Sequence, residues 1–217
     1  MTDPRIVAVA ESLSTVYPGE PRRLYQSVEH AHFADWTVSR SDARLDWIVG
    51  GLRAAGVEPA TGPVLDIGCL TGRIDRHLAR AGWAVHGVDG YERVVTVART
   101  LADVFALAAL VTYECRTADV SLVESRRWSA VVCPSTFHPA LASGRTADVA
   151  AIWRACLRQS GALVIDDAWP GDAGPPPWLG PQWDFVTWLG LLLGSVWPGA
   201  IRALGTSEGR TLYLVRL

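Results

Sequence analysis

The stretch Val64-Leu65-Asp66-Ile67-Gly68-Cys69-Leu70-Thr71-Gly72 constrains this chain more than any other. It reads as a short buried strand that runs into a glycine-bearing turn, and the turn opens a helix. A turn of this kind presents backbone N–H groups at a helix N-terminus, where an anion or a polar adenosyl group can bind, and its glycines let a ligand approach the main chain. Twenty-three residues beyond Asp66, a second strand ends in Val88-Asp89-Gly90, which places a carboxylate where it can accept both hydroxyls of a ribose. Asp66 alone could serve as a carboxylate at a helix N-terminus, and Asp89 alone as a cap on the next helix.

From residue 62 onward, short β-branched runs alternate with amphipathic segments, the pattern of parallel strands joined by crossover helices. Strands are expected at Pro63–Ile67, Ala84–Val88, Leu110–Glu114, Ser129–Cys133 and Ala162–Asp166. Helices are expected at Arg73–Ala81, Tyr91–Leu107, Thr146–Arg158 and near Gln182–Leu193. A hairpin, Ala200–Leu204 and Thr211–Arg216 around a polar turn, closes the sheet antiparallel. Before residue 60 the pattern changes: two helical faces, one ending near Val16 and one starting near Ser41, flank an irregular segment rich in Tyr, His, Phe and Trp. The expected division is a helical lid over residues 1–60 and an α/β domain over 61–217.

Composition removes several classes of function. The 217 residues, 49% hydrophobic, suffice for one domain with an added lid. A net charge of −2 leaves no basic footprint for a nucleic-acid backbone, so a small, weakly charged substrate is expected and no nucleic acid. All 20 basic residues are arginine, which excludes Schiff-base and pyridoxal-phosphate chemistry, both of which need a lysine amine. Glycine, serine and proline interrupt the uncharged run from Phe185 to Ile201, so no membrane span is expected. The N-terminus lacks the basic and apolar segments of an export signal, which points to the cytoplasm. Cys69, Cys115, Cys133 and Cys156 stand far apart without a C-x-x-C pair and read as structural thiols.

These motifs resemble the class I S-adenosylmethionine-dependent methyltransferases. The resemblance runs through Asp66 to Gly72, Asp89, the segment Thr117-Ala118-Asp119-Val120, the exit of the fourth strand and the closing hairpin. It implies a Rossmann-like, seven-stranded α/β sheet with helices on both faces, its last strand antiparallel. S-adenosyl-L-methionine is the implied cofactor and S-adenosyl-L-homocysteine its product. The Gly68–Gly72 turn, with Cys69, would hold the methionine portion, with Asp66 near its ammonium, Asp89 and Gly90 at the ribose, and Asp119 at the adenine amino group. The family's turn usually carries a middle glycine where this chain has Leu70, so the turn must avoid a positive φ there or tolerate strain. A nicotinamide-binding Rossmann domain is the rival. It lacks support because the turn has no G-x-G-x-x-G and because Asp66 would repel a pyrophosphate.

The acceptor side is read from the strand exits. Cys133-Pro134-Ser135-Thr136-Phe137-His138 leaves the fourth strand at the crevice edge, and His138 is the candidate general base, with a packed or capping histidine as the alternative. Tyr17, Tyr25 and Trp36 of the irregular segment and Asp167 and Trp169 after the fifth strand are the candidate substrate contacts. The metal reading of Asp166-Asp167 lacks a partner acid on the fourth strand, so none is expected. Trp169, Trp178, Trp183, Trp188 and Trp197 can wall an apolar pocket or bury a homodimer interface. The expected reaction is methyl transfer to O, N or C of a small apolar or aromatic molecule. The alternatives are a non-methylating cyclisation or elimination on the same fold, and a non-catalytic binding module.

Overall fold

The computed structural model describes residues 43–134, 136–137, 140–141, 144–166, 185–194, 200–207 and 210–217. Its helices are α1 (Ala43–Ala54), α2 (Arg73–Arg80), α3 (Glu92–Val104), α4 (Val120–Glu124), α5 (Thr146–Ser160) and α6 (Phe185–Leu193). Its strands are β1 (Val64–Ile67), β2 (Val85–Asp89), β3 (Val111–Cys115), β4 (Ala130–Val132), β5 (Ala162–Asp166), β6 (Ile201–Ser207) and β7 (Arg210–Arg216). They form a seven-stranded sheet in the order β3-β2-β1-β4-β5-β7-β6, parallel from β3 to β5, with β7 antiparallel to both of its neighbours. This is the expected Rossmann-like α/β sheet. The strand ends fall within a few residues of the sequence reading, and the short helix α4 is an addition to it.

The side-chain alternation of β-structure sorts the core into two layers. Leu65, Ile67, Val88, Val131, Leu163 and Ile165 point to one face, where they pack with Leu122, Trp153, Cys156, Trp188 and Leu189 of α4, α5 and α6. Val64, Val85, Val111, Val132, Val164 and Leu214 point to the other, against Ile48 and Leu52 of α1 and Leu78 of α2. Helix α5 forms because Val149, Ile152, Trp153 and Cys156 recur on one buried stripe. It stops at Gly161, whose left-handed φ of 70° lets its N–H reach the Leu157 carbonyl. Helix α1 belongs to this packing, with Leu45, Ile48 and Leu52 buried, so the domain core begins before residue 60.

The sheet reverses its build direction between β1 and β4, which lie side by side while their connections lead to opposite edges. The crevice at the carboxyl ends of these strands is where open α/β sheets take ligands. Asp66, Asp89 and Asp166 sit at those ends on β1, β2 and β5. Among the described residues, no helix is long and apolar enough to cross a membrane. Leu65 lies at the sheet centre and is fully buried. Leu65→Ala is expected to lower the unfolding free energy by about 2–5 kcal/mol, read as a shift in the urea midpoint at constant m-value. A loss below about 0.5 kcal/mol would contradict this packing.

Candidate functional site

Three loops meet at the crevice. The first leaves β1 through Gly68, Cys69, Leu70 and Thr71 and reaches Gly72, which begins α2. Gly68, Leu70 and Gly72 all have positive φ, at 78°, 49° and 73°. Leu70 therefore adopts the left-handed conformation its missing glycine would have taken freely, at a cost of about 1–2 kcal/mol. The strain has a visible return: in this conformation the Leu70 N–H donates to Asp89 Oδ2 at 3.1 Å. The Tyr91 N–H donates to the other oxygen, Oδ1, at 3.0 Å.

Asp89 is thus clamped between the turn and the loop after its own strand. A carboxylate has about four acceptor positions, and two are taken by these amides, so capacity for a diol remains. Burial pushes its carboxyl above the usual range, while the N–H groups of Tyr91, Leu70 and Gly90 pull it back toward ionisation. Gly90 is exposed beside it and faces Thr117 of the loop after β3, 3.8 Å from where a Cβ would stand. Tyr91, 62% exposed, flanks the same opening.

The loop after β4 closes the crevice from the other side. Thr136 Oγ1 donates to the Ile67 carbonyl at 2.5 Å, and its side chain lies directly on Gly68. Phe137 then anchors the loop in the core edge-to-face on Trp153, 5.9 Å between ring centroids. His138 follows Phe137 and lies outside the described residues. So do Tyr17, Tyr25, Trp36, Asp167 and Trp169.

The remaining expected residues are placed as follows. Cys69 is buried, and its thiol is pushed well above its usual range by burial and by Asp75, Asp66 and Asp89, so it stays neutral. Asp119 is exposed and caps α4: its Oδ1 accepts the Leu122 N–H at 2.7 Å and pairs with Arg116 at 3.1 Å. The backbone bond to Leu122 holds its carboxyl below the usual range. Asp166 is buried and ion-paired with Arg44 of α1 at 3.0 Å.

Asp66 departs most from a simple ligand contact. It is 1% exposed and shares with Val64 the face of the sheet on which α2 packs, where Asp75 is fully buried. The sheet register sets Asp66 beside Gly87 and Gly87 beside Tyr113, and the space above Gly87 holds the intruders from both sides. A Cβ on Gly87 would stand 2.6 Å from Asp75 Oδ2 and 2.7 Å from the Tyr113 ring. Sequence reasoning passed over Asp75, Arg76, Tyr113 and Thr136. The legible signal was Gly87, a lone glycine inside a strand, which marks a close approach by something else.

Asp119→Ala is expected to lower stability through loss of the cap, measured as a fall in the urea midpoint without ligand. An unchanged midpoint would contradict the capping geometry. The exposed Arg116 pair adds little to this, because solvent screens it.

Comparison with known proteins bears on the domain and the fold. Residues 64–161, from β1 to the C-cap of α5, match the family described as a methyltransferase domain. The mitochondrial ubiquinone biosynthesis O-methyltransferase of Arabidopsis thaliana is 38% identical over 68 residues, which cover 31% of this chain and 21% of that protein. Among solved structures, the bifunctional kinase-methyltransferase WbdD superposes with a TM-score of 0.65 at 20% identity, over 95% of this chain and 46% of WbdD. The magnesium protoporphyrin IX methyltransferase ChlM from Synechocystis PCC 6803, solved with bound S-adenosylmethionine, superposes with a TM-score of 0.57 at 16% identity, over 100% of this chain and 99% of ChlM. The chain thus spans about a fifth of the curated relative and under half of WbdD, and the structural likenesses concern the fold. Residues 64–161 thus match a methyltransferase domain, and the sheet order and the glycine turn held to Asp89 are similar to those of the class I S-adenosylmethionine-dependent methyltransferases.

Proposed function

We propose that this protein transfers a methyl group from S-adenosyl-L-methionine to an oxygen, nitrogen or carbon of a small apolar or aromatic molecule. The observation that carries the reading is the Asp89 clamp. One carboxylate is fixed by an amide from the turn and an amide from the β2 exit, which brings an amino-acid cradle and a sugar-diol acceptor to one place at one spacing. The cradle fits the cofactor: a left-handed main-chain bend, an open Gly90 and a carboxylate with acceptor positions to spare.

In this reading the turn from Gly68 to Gly72, with Cys69 beneath it, holds the methionine portion, and Asp89 and Gly90 hold the ribose. Asp119 meets the adenine amino group with Oδ2, the oxygen its cap leaves less engaged. When bound, the cofactor supplies an activated methyl on a good leaving group. What falls to the chain is to align the acceptor and, where the acceptor is acidic, to take its proton. Thr136 and Phe137 pin the β4 exit against Gly68 and the core, so the segment that continues into His138 starts from a fixed point. His138 is the proposed base, and Tyr17, Tyr25, Trp36, Asp167 and Trp169 are the proposed acceptor contacts. A cytoplasmic setting and a small-molecule partner belong to the same proposal.

Asp89→Ala is expected to weaken S-adenosylhomocysteine binding at least tenfold in calorimetry, since a charge-assisted diol contact and the tether to Leu70 are lost together. Unchanged affinity would refute the ribose assignment. Incubation with a panel of small phenols, acids and amines is expected to yield S-adenosylhomocysteine in step with methylated product. Turnover that leaves the methyl group on the cofactor would instead establish the cyclisation or elimination alternative.

A further inference from the structure

Beneath the glycine turn lies a cluster of ionisable groups that ligand binding by Asp89 does not use. Asp66 from β1 and Asp75 from α2 are both closed off from solvent, and among the described residues their four oxygens find no partner beyond one another and the Tyr113 hydroxyl. Two carboxylates left so would carry a large desolvation cost; a proton held between them removes most of it. Burial is the main cause that pushes Asp66 well above the usual carboxylate range, with Asp75 and Asp89 adding to it. Burial likewise pushes Asp75 up to about 7, against hydrogen bonding from Asp66, the charge of Arg76 and hydrogen bonding from Tyr113.

The surroundings define the charge balance. Arg76, 2% exposed on α2, donates to the Thr71 carbonyl of the turn and keeps its charge, with burial lowering it only to about 10. Arg80 stands behind it on the same helix. Tyr113 of β3 is held neutral, its hydroxyl pressed against the main chain at Gly72. Cys69 in the turn is neutral, and Asp89 of β2 stands across it. One shared proton leaves the Asp66–Asp75 pair with a single negative charge, which Arg76 balances. A second negative charge there needs a new cation, and the turn directly above is where the amino-acid end of the ligand is to lie.

We propose that the Asp66–Asp75 pair is the counter-charge for the amino group of the cofactor, and that it gives up its shared proton as that ammonium arrives. The inference rests on the cofactor reading above and adds Asp75 as a positioning residue, acting through Asp66 and the turn. The exchange is neutral overall: one proton leaves the cluster as one ammonium settles over it. It couples cofactor affinity to pH, and it explains why β2 carries glycine at position 87, since any side chain there would evict Asp75.

The test is calorimetric titration of S-adenosylhomocysteine into the intact protein at about pH 7 in phosphate and in Tris, whose ionisation enthalpies differ. Wild type is expected to release a substantial fraction of a proton per ligand, with affinity rising as pH rises. In Asp75→Asn an amide donates to Asp66 without titrating, so the release and the pH slope are expected to vanish. Asp75→Ala should lose affinity about tenfold, which the Asn variant restores. Binding without proton release in wild type overturns the exchange alone. Absence of binding at every pH overturns the cofactor reading.

Ligand-free unfolding keeps the pair testable by itself. A carboxyl raised in the folded state stabilises the fold at acid pH, and that stability is lost as pH rises from about 4 to about 7. The melting temperature of wild type should therefore fall over this window more steeply than that of Asp75→Asn, or of Asp66→Asn if the first variant folds poorly. Parallel profiles would show that no proton is shared and would overturn the proposal.

Discussion

The hydrogen bond from the Leu70 amide to Asp89 is the interaction on which the rest of the site depends. It joins the exit of β1 to the exit of β2 at the level of the crevice. Among the described residues, the other main-chain bonds between these two exits are those from the Gly68 and Cys69 amides to the Val88 carbonyl just below. The bond exists because Leu70 accepts a left-handed backbone at a cost of about 1–2 kcal/mol. A side chain kept at a position where glycine would be easier indicates that the packing around the turn over-determines its shape.

The site is built as two storeys. The upper one is main chain and small residues: the turn, Gly90, and Thr136 resting on Gly68. The lower one is a buried polar cluster in which Asp66, Asp75, Arg76 and Tyr113 fill space that an apolar core would ordinarily occupy. Replacing such a cluster with well-packed hydrophobic residues is often neutral or stabilising, so its presence directly under the proposed cofactor turn fits the proposed counter-charge role better than a role in stability.

Most of the fold could be read from the chain because it obeys two simple periods. The alternating faces of β1 to β5 and the buried stripe of α5 follow from hydrophobic spacing, and Gly161 and Gly82 close helical segments where the reading placed them. The position of Asp89 at the end of β2 was equally legible, because the alternation of strand and helix fixes where that strand stops. The direction in which Asp66 points was harder, because it depends on Asp75 intruding from a helix whose buried face carries two charged residues where periodicity calls for apolar ones. Helix α4 escaped notice because five residues show no period; its start rests on the Asp119 cap. The proposed base His138 and the proposed acceptor contacts Tyr17, Tyr25, Trp36, Asp167 and Trp169 fall outside the described residues.

A crystal structure of this chain with S-adenosylhomocysteine tests the central claim most directly. The account requires the ribose hydroxyls within hydrogen-bonding distance of Asp89, the amino-acid end over Gly68 to Gly72, and the Leu70 amide still on Asp89. An adenosyl group bound elsewhere, or a turn whose Leu70 amide has swung away from Asp89 on binding, would contradict it.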